Sequence, residues 1–322
     1  MRSPAFSKIR ALLVVFVAAA GLNVVAPAAS AAAVSIDLCA EAGTLPLPGP
    51  STVDIWGFGI ATTPGDCSTA TAQLPGPVLA VDEGDTVTIN VTNGLPGTRT
   101  LTFEVPGVEF NPGPADAAAG ATVTRTFTAS DPGSYLYQSG GDAGRQEAMG
   151  LYGALIVRSA TPNQAYDNAA SAYNVQSTLV LSALDPAFNA APDTFNMRNY
   201  LATYWLINGS AYPDTAPGIT AAAGQRILLR YLNGGYDNTT MLLLGMHEQV
   251  LARDARLLTN PFDAVAETIP AGATEDVIAV MPSTAPPTTN GFPLYNRQLH
   301  LTNGPQSGAT PPVGGALTFI HP

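Results

Sequence analysis

Residues Asp131–Arg158 place the strongest constraint on the fold, because they contain two short apolar runs on either side of a glycine-rich loop. The first run is Gly-Ser-Tyr-Leu-Tyr, and the second ends in Leu155-Ile156-Val157. Apolar runs of this length, bounded by glycine and proline, are typical of β-strands and too short for ordinary helices. The segment therefore predicts two strands and a connecting loop that can carry a functional site.

The rest of the chain has the composition of a β-protein. Charged residues make up only 11% of it, and 31 glycines and 28 prolines suit many short strands joined by turns. The strand pattern of Pro75–Asn93 recurs at Thr220–Gly234, roughly 140 residues later, which indicates duplication of one structural unit. The sequence thus predicts two β-domains, with Val87–Val91 and Ile227–Leu232 at equivalent positions.

Local patterns predict further elements. Ser51–Ile60 predicts the first strand, and Met241–Arg253 predicts a β-hairpin. Pro186–Asn199 is a polar excursion between two strands of the second half. Residues 159–172 are rich in Ala, Asn, Asp and Pro, which predicts an interdomain linker.

The N-terminus has the pattern of a secretory signal peptide. Three basic residues precede the apolar run Ala11–Val25, and the small residues Ala29-Ser30-Ala31 follow it. We expect removal of residues 1–31, a secreted or extracytoplasmic protein, and no membrane span, since no later window holds about 18 uninterrupted apolar residues. The mature chain keeps ten basic residues against twenty-four acidic ones, a net charge of −14. Such a charge repels phosphate backbones and excludes nucleic acid as a partner.

The chain has two cysteines, Cys39 and Cys67, both early in the predicted mature protein. Because exported proteins meet an oxidising environment, we expect a disulfide between them. The alternative, a copper thiolate, requires histidines nearby, and none lies near either cysteine in sequence.

Two segments also resemble a known family. Pro75–Asn93 has the sequence PGPVLAVDEGDTVTINVTN, and Asp131–Arg158 contains MGLYGALIV. Both are similar to first-domain segments of multicopper oxidases, and Tyr204–Asp214 is similar to the entry of their second domain. The resemblance extends from Ser51 to the C-terminus.

The resemblance implies an all-β fold of two cupredoxin-like Greek-key β-sandwich domains. The expected boundaries are a signal peptide at 1–31, domain 1 at 32–158, a linker at 159–172 and domain 2 at 173–322.

The same resemblance implies that the copper ligands of the first domain are missing. Where the family has two His-x-His pairs, this chain has Thr102 and Glu104 in one segment and Gln138 and Gly140 in the other. Threonine is a poor copper ligand, and a single carboxylate favours harder cations. We therefore expect no metal ligands, no cofactor-binding residues and no catalytic residues at these four positions.

The three histidines, His247, His300 and His321, cannot replace the missing ligands. A laccase-type enzyme draws on eight histidines for its trinuclear cluster and on a cysteine thiolate with two more for its blue-copper centre. We expect His247 to be a structural imidazole in an apolar run and His321 to be frayed. His300 is expected on a strand, with Leu299 and Leu301 on the opposite face.

These observations predict a secreted multicopper-oxidase-like protein with degenerate copper sites. It would be a non-catalytic binding or structural protein without cofactor, and its partner an unknown extracellular protein or small ligand. The family resemblance also implies a possible homo-oligomer, since two-domain members of the family often form trimers.

Alternatives remain open at this stage. One is a copper-dependent oxidoreductase that acts on phenolic or metal-ion substrates through non-standard ligands. Another is acid–base chemistry by the carboxylate pairs Asp142 with Glu147 or Glu104 with Glu109. The third is a weak site for a hard cation formed by Asp142, Glu147 and Glu104.

Overall fold

A computed structural model of the chain describes residues 31–48, 51–113, 115–215, 218–304 and 313–322. The predicted signal peptide, apart from Ala31, lies outside the described residues. Within these ranges, no helix is long and apolar enough to cross a membrane.

The described residues form β-strands with two short α-helices and four short 3₁₀ helices between them. In the first half the strands are β1 (Ala33–Pro46), β2 (Thr52–Ile60), β3 (Gly76–Asp82), β4 (Thr86–Asn93), β5 (Leu101–Thr102), β6 (Asp116–Ala117), β7 (Thr122–Thr128), β8 (Gly133–Gln138) and β9 (Tyr152–Arg158). In the second half they are β10 (Val175–Leu184), β11 (Tyr204–Ile207), β12 (Ile219–Thr220), β13 (Arg226–Asn233), β14 (Thr239–Leu243), β15 (Glu248–Arg253), β16 (Arg256–Ala264), β17 (Ala266–Ile269), β18 (Thr274–Val280), β19 (Phe292–Asn296) and β20 (Leu317–His321). The α-helices are α1 (Arg145–Ala148) and α2 (Pro186–Asn189).

The two halves repeat one sheet topology. One sheet of the first half has the order β2-β1-β4-β7, and one sheet of the second half begins β11-β10-β13-β18. In both sheets the third strand runs parallel to the second and antiparallel to the fourth. Val87–Val91 on β4 and Ile227–Leu232 on β13 therefore occupy the same place in their sheets.

Two asparagines extend this correspondence to single hydrogen bonds. The Asn93 side-chain amide, at the end of β4, donates to the carbonyls of Arg99 and Ala117, and its oxygen accepts from the Leu95 N–H. At the end of β13, the Asn233 amide donates to two backbone carbonyls, and its oxygen accepts from the N–H two residues later. A buried asparagine thus closes the same turn in each half.

Alternating side chains build the cores. On β4, Val87, Ile89 and Val91 are fully buried, and the intervening Thr88 and Asn90 are half-buried, as expected for a strand with one face in the core. Each half has its own apolar core, and a third cluster joins them, with Leu136 and Tyr152 from the first half packed with residues such as Leu206 from the second. Residues 31–322 form one compact unit, so the predicted domain boundaries remain a prediction.

Two predicted elements were wrong. Ser51–Ile60 is not the first strand, because the longer β1 precedes it and pairs with both β2 and β4. Met241–Arg253 is not a hairpin, since β14 pairs with β17 and β19, whereas β15 pairs with β16 and β18 in the other sheet. The turn at Leu244–His247 carries the chain from one sheet to the other.

A buried polar cluster also joins the halves. The Arg230 guanidinium on β13 lies 3.0 Å from the Asp276 carboxylate on β18, and both side chains are 1% exposed. Asp276 also accepts hydrogen bonds from Ser134 on β8, at 2.7 Å, and from the Tyr166 hydroxyl, at 2.6 Å. Because Ser134 and Tyr166 precede β10, this cluster connects the second sandwich to the first half and to the connecting segment.

The predicted disulfide between Cys39 and Cys67 is confirmed. Cys39 lies on β1 and is fully buried, and Cys67 lies in the excursion between β2 and β3. The bond therefore ties this excursion to the sheet.

Removal of the disulfide will destabilise the protein. It joins residues 28 apart in sequence, and the chain-entropy relation gives about 3–4 kcal/mol for a loop of this size. We expect C39A/C67A to lose about that much free energy of unfolding in urea titrations. Thiol titration of the unreduced, unfolded wild-type chain provides the control, and two reactive thiols per chain would contradict the bond.

Candidate functional site

The two segments that carry the four predicted positions lie side by side. Glu104 and Gln138 form an antiparallel bridge: the Glu104 N–H donates to the Gln138 carbonyl at 3.0 Å, and the Gln138 N–H donates back at 2.9 Å. A Cβ added at Gly140 would lie 3.0 Å from Oε1 of Glu104. Three of the four positions therefore meet at one place. Thr102 lies two residues before Glu104 and pairs with Asp116 on β6.

Hydrogen bonds connect the side chains at this junction. Gln138, which is buried, donates from Nε2 to Oε1 of Glu104 at 3.1 Å. Its neighbour Ser139 donates to Oε1 of Gln146 at 2.6 Å, and Gln146 donates to the Thr100 carbonyl at 2.8 Å. Amide and hydroxyl groups thus link the segment before β5 to the loop after Gln138.

The loop after Gln138 contains an unusual turn. Asp142 and Ala143 adopt φ angles of 55° and 52°, in the left-handed region that side chains other than glycine rarely occupy. Arg145, at the start of α1, donates from Nη1 to the carbonyls of Pro192 and Phe195 at 3.2 and 3.1 Å. The loop is therefore anchored to residues from the second half of the chain.

The carboxylates near this loop repel one another. Burial raises the pKa of Glu147, and the negative charge of Glu104 raises it further. A hard cation would offset such repulsion, but the described residues contain no group of three or more His, Cys, Asp or Glu side chains that could hold a metal ion. The structure therefore does not assemble the cation site that was considered as an alternative for Asp142, Glu147 and Glu104.

The described donor atoms do not fit copper either. The junction offers one carboxylate and one amide where copper requires imidazole or thiolate. Both cysteines are in the disulfide, so the described chain has no thiolate to offer.

The three histidines do not lie in the environments that the sequence predicted. His247 is exposed in the turn before β15 and is not part of the apolar core. His300 follows β19 instead of lying on a strand, and it stacks on Trp205 with 3.9 Å between ring centroids. Burial lowers its pKa. His321 is not frayed, because it belongs to β20 and pairs with Thr220 on β12.

A surface cleft of about 460 Å³ lies beside the junction. Thr102 and Glu104 both line it, together with the partly buried apolar residues Val108 and Phe110. The carboxylate pair proposed for acid–base chemistry, Glu104 and Glu109, lines the same cleft, and both residues are exposed.

The sequence did not predict that Pro186–Asn199 packs against the first half of the chain. Pro186–Asn199 was expected to be a polar excursion, but Phe188 is fully buried in the first-half core, and Phe195 and Tyr200 pack against it. Asp193 forms an ion pair with Arg99, whose guanidinium lies 4.5 Å from the ring centroid of Trp56.

A local signal for this segment was present in the sequence. Asp185 followed by Pro186 is a typical helix start, with an N-cap carboxylate and proline in the first turn. Asp185 Oδ1 accepts from the Ala187 N–H at 2.9 Å, and Oδ2 accepts from the Leu201 N–H at 2.9 Å. One side chain thus begins α2 and also closes the excursion.

Comparisons with known proteins show which family model and which proteins this chain is similar to. Residues 61–162 match the family model described as multicopper oxidase. The chain is 37% identical over 95 residues to an L-ascorbate oxidase of Brassica rapa subsp. pekinensis, covering 26% of this chain and 16% of that protein. It is 28% identical over 235 residues to Laccase-3 of Oryza sativa subsp. japonica, covering 66% of this chain and 40% of that protein. The matches therefore span less than half the length of these relatives.

Among solved structures, a blue copper oxidase from Nitrosomonas europaea superposes with a TM-score of 0.74 at 23% identity. The superposition covers 90% of this chain and 86% of that one. The fold is thus that of the cupredoxin-like β-sandwich proteins, which confirms the predicted fold class. Within that class, residues 61–162 match the multicopper oxidase family model, in agreement with the resemblance seen in the sequence.

Proposed function

We propose that this chain is an exported, copper-free member of its family that works as a binding or structural protein. The observation that carries the proposal is the junction of Glu104, Gln138 and Gly140. There, a carboxylate–amide hydrogen bond and a glycine stand where the family resemblance implies converging imidazoles. The β-sandwich scaffold is retained, and its function comes from the surface beside the former metal positions.

The chemistry of these groups supports a role other than oxidation. Copper enzymes of this family need a thiolate to receive electrons and imidazoles to hold the cluster that reduces oxygen. Cys39 and Cys67 are joined to each other, and the three histidines lie in separate parts of the second half. In a homo-oligomer every subunit would lack the same groups, so assembly does not restore them.

The location and partners belong to the same proposal. A disulfide is typical of exported proteins, which favours a secreted or extracytoplasmic location and removal of the predicted signal peptide. Within the proposed domain 1 (32–158), the cleft lined by Thr102 and Glu104 is the surface for an extracellular protein or small ligand. The resemblance favours a homotrimer of chains with two such domains.

Metal content tests the proposal. We expect the mature protein, expressed with copper in the medium, to contain far less than one copper per chain. Added Cu²⁺ or a chelator should leave its melting temperature unchanged, because a group that binds only the folded state would raise it. Near-stoichiometric copper together with oxygen-dependent oxidation of a phenol would overturn the proposal in favour of an oxidoreductase with non-standard ligands.

A further inference from the structure

The second sandwich contains a carboxyl group in an unusual setting. Glu248, at the start of β15, is fully buried in the core formed by residues such as Val250 and Val277. Its Oε1 accepts a hydrogen bond of 2.5 Å from the hydroxyl of Tyr231, which is also fully buried. Its Oε2 is buried and has no hydrogen-bond partner among the described residues.

The charged groups around Glu248 do not neutralise it. Glu275 on β18 lies opposite Tyr231 in the sheet and is also buried, and its Oε2 accepts from Nε of Arg253 at 2.8 Å. The other oxygen of Glu275 is buried and has no partner in the described chain. Nη2 of Arg253 forms a second ion pair with Glu267 on β17, at 2.7 Å. Glu275 and Glu267 thus share one guanidinium, and Glu248 has no cation of its own.

Other neighbouring groups do not change this balance. Asp276, the next residue on β18, is paired with Arg230 in the cluster between the halves. The side chains of β14 and β19 on this face carry no charge: Met241 and Leu294 are apolar, and Thr239 and Asn296 are buried and polar. His247, beside Glu248 in sequence, is exposed.

A carboxylate in this position would be costly. An ionised group in an apolar core without a cation loses most of its hydration, and the usual outcome is that it takes up a proton. Burial raises the pKa of Glu248 to about 7, with the charges of Glu275 and Glu267 adding to the effect and the Tyr231 hydrogen bond opposing it. Burial also raises the pKa of Glu275 to about 7, against the influence of Arg253.

Contacts decide which of the two carboxyls keeps the proton. Glu275 has a guanidinium at hydrogen-bond distance, which favours its ionised form, whereas Glu248 has only a neutral hydroxyl. The proton therefore resides on Glu248. We propose that the buried carboxyl cluster of Glu248, Tyr231 and Glu275 holds a proton in the folded state, so that the fold is stabilised in mildly acidic surroundings and weakened as the pH rises through neutrality.

The direction follows from proton linkage. In the unfolded chain Glu248 titrates near its ordinary pKa of 4.5, so between pH 4.5 and 7 the folded state binds more protons than the unfolded state. Its contribution to stability is fully present below pH 4.5 and is lost as the pH rises through about 7. A difference of this size between the folded and unfolded pKa of Glu248 shifts the unfolding equilibrium constant by up to about 300-fold.

Other acidic groups determine how far the pH can fall before the fold loses stability. Hydrogen bonds from Ser68 lower the pKa of Asp66, and backbone hydrogen bonds, that of Ala32 foremost, lower the pKa of Asp85. Each stabilises the fold above its unfolded pKa and loses that contribution as the pH falls through its folded pKa. The stability maximum is therefore expected near about pH 5.

Urea unfolding of the mature protein between pH 5 and 8 tests the proposal. We expect the unfolding constant of the wild type to rise by about two orders of magnitude over this range. Glu248→Gln, which keeps the shape and accepts from Tyr231, should flatten the profile and exceed the wild type in stability at pH 8. The matched control is Glu109→Gln, an exposed glutamate that should leave the profile unchanged.

Parallel profiles for the wild type and Glu248→Gln would overturn the proposal. A second measurement does not depend on the variant folding. Infrared difference spectroscopy of the wild type should show the C=O stretch of a protonated carboxyl at pH 6 that disappears by pH 8. Absence of that band at pH 6 in the folded protein would refute a proton held in the core.

Discussion

Replacing Arg230 by methionine will lower the free energy of unfolding by about 3–5 kcal/mol, because it leaves the buried carboxylate of Asp276 without its cation. Both side chains are 1% exposed, so water cannot take the place of the guanidinium. Asp276 would retain hydrogen bonds from Ser134 and Tyr166, but neither hydroxyl supplies a positive charge. Urea denaturation of the single variant measures the loss.

The matched control is the same substitution at a surface pair. Arg158 lies 2.6 Å from Asp82, and about half of each side chain is exposed. Exposed pairs contribute roughly 0–1 kcal/mol, so Arg158→Met should cost far less than Arg230→Met. Equal losses in the two variants would show that the buried pair contributes no more than a surface pair.

Restoring four histidines will create a copper site without creating an oxidase. In the variant T102H/E104H/Q138H/G140H we expect tight binding of about one Cu²⁺ per chain, because imidazole is a strong copper ligand. The backbone hydrogen bonds between residues 104 and 138 do not depend on the side chains and should persist. Gly140 lacks a positive φ, and its near contact for a Cβ is Glu104, which the variant removes. Titration calorimetry with Cu²⁺ measures the binding.

Turnover is not expected from this variant. The only cysteines remain joined, so no thiolate receives electrons from a phenol. The double variant Q138H/G140H serves as the control and should bind copper more weakly. A folded quadruple variant that binds no copper would contradict the alignment of these positions, and sustained oxygen-consuming oxidation would reveal a route for electrons elsewhere.

Sequence reasoning succeeded where a local pattern determines structure. Asp131–Arg158 was predicted to form two strands around a loop, and β8 and β9 pair as that pattern implies. The recurrence of the Pro75–Asn93 pattern predicted equivalent strands. β4 and β13 do occupy equivalent positions, each as the third strand in the matching part of its sheet. For β8 and β9 the signal is a short apolar run bounded by glycine or proline, and for β4 it is the alternation of apolar and polar residues that strand geometry requires.

It failed where the fold depends on distant contacts. The alternation in Met241–Arg253 shows that β14 and β15 are strands, but it carries no information about which sheet each strand joins. Gln138 and Glu104 could be placed on facing segments from the resemblance, whereas the Ser139–Gln146–Thr100 hydrogen bonds depend on how the loop folds back. Neither Glu248 nor Glu275 stood out in sequence, because burial of a glutamate depends on the packing of whole sheets.

The packing of Phe188, Phe195 and Tyr200 into the first-half core has a consequence for how this protein can evolve and be engineered. These residues belong to the chain after β10, so a first sandwich separated at the connecting segment would lose part of its own interior. Modular exchange of one sandwich for that of a relative would leave large aromatic surfaces without partners. Each half is therefore expected to depend on the other for its stability, even though their two sheets share one strand order.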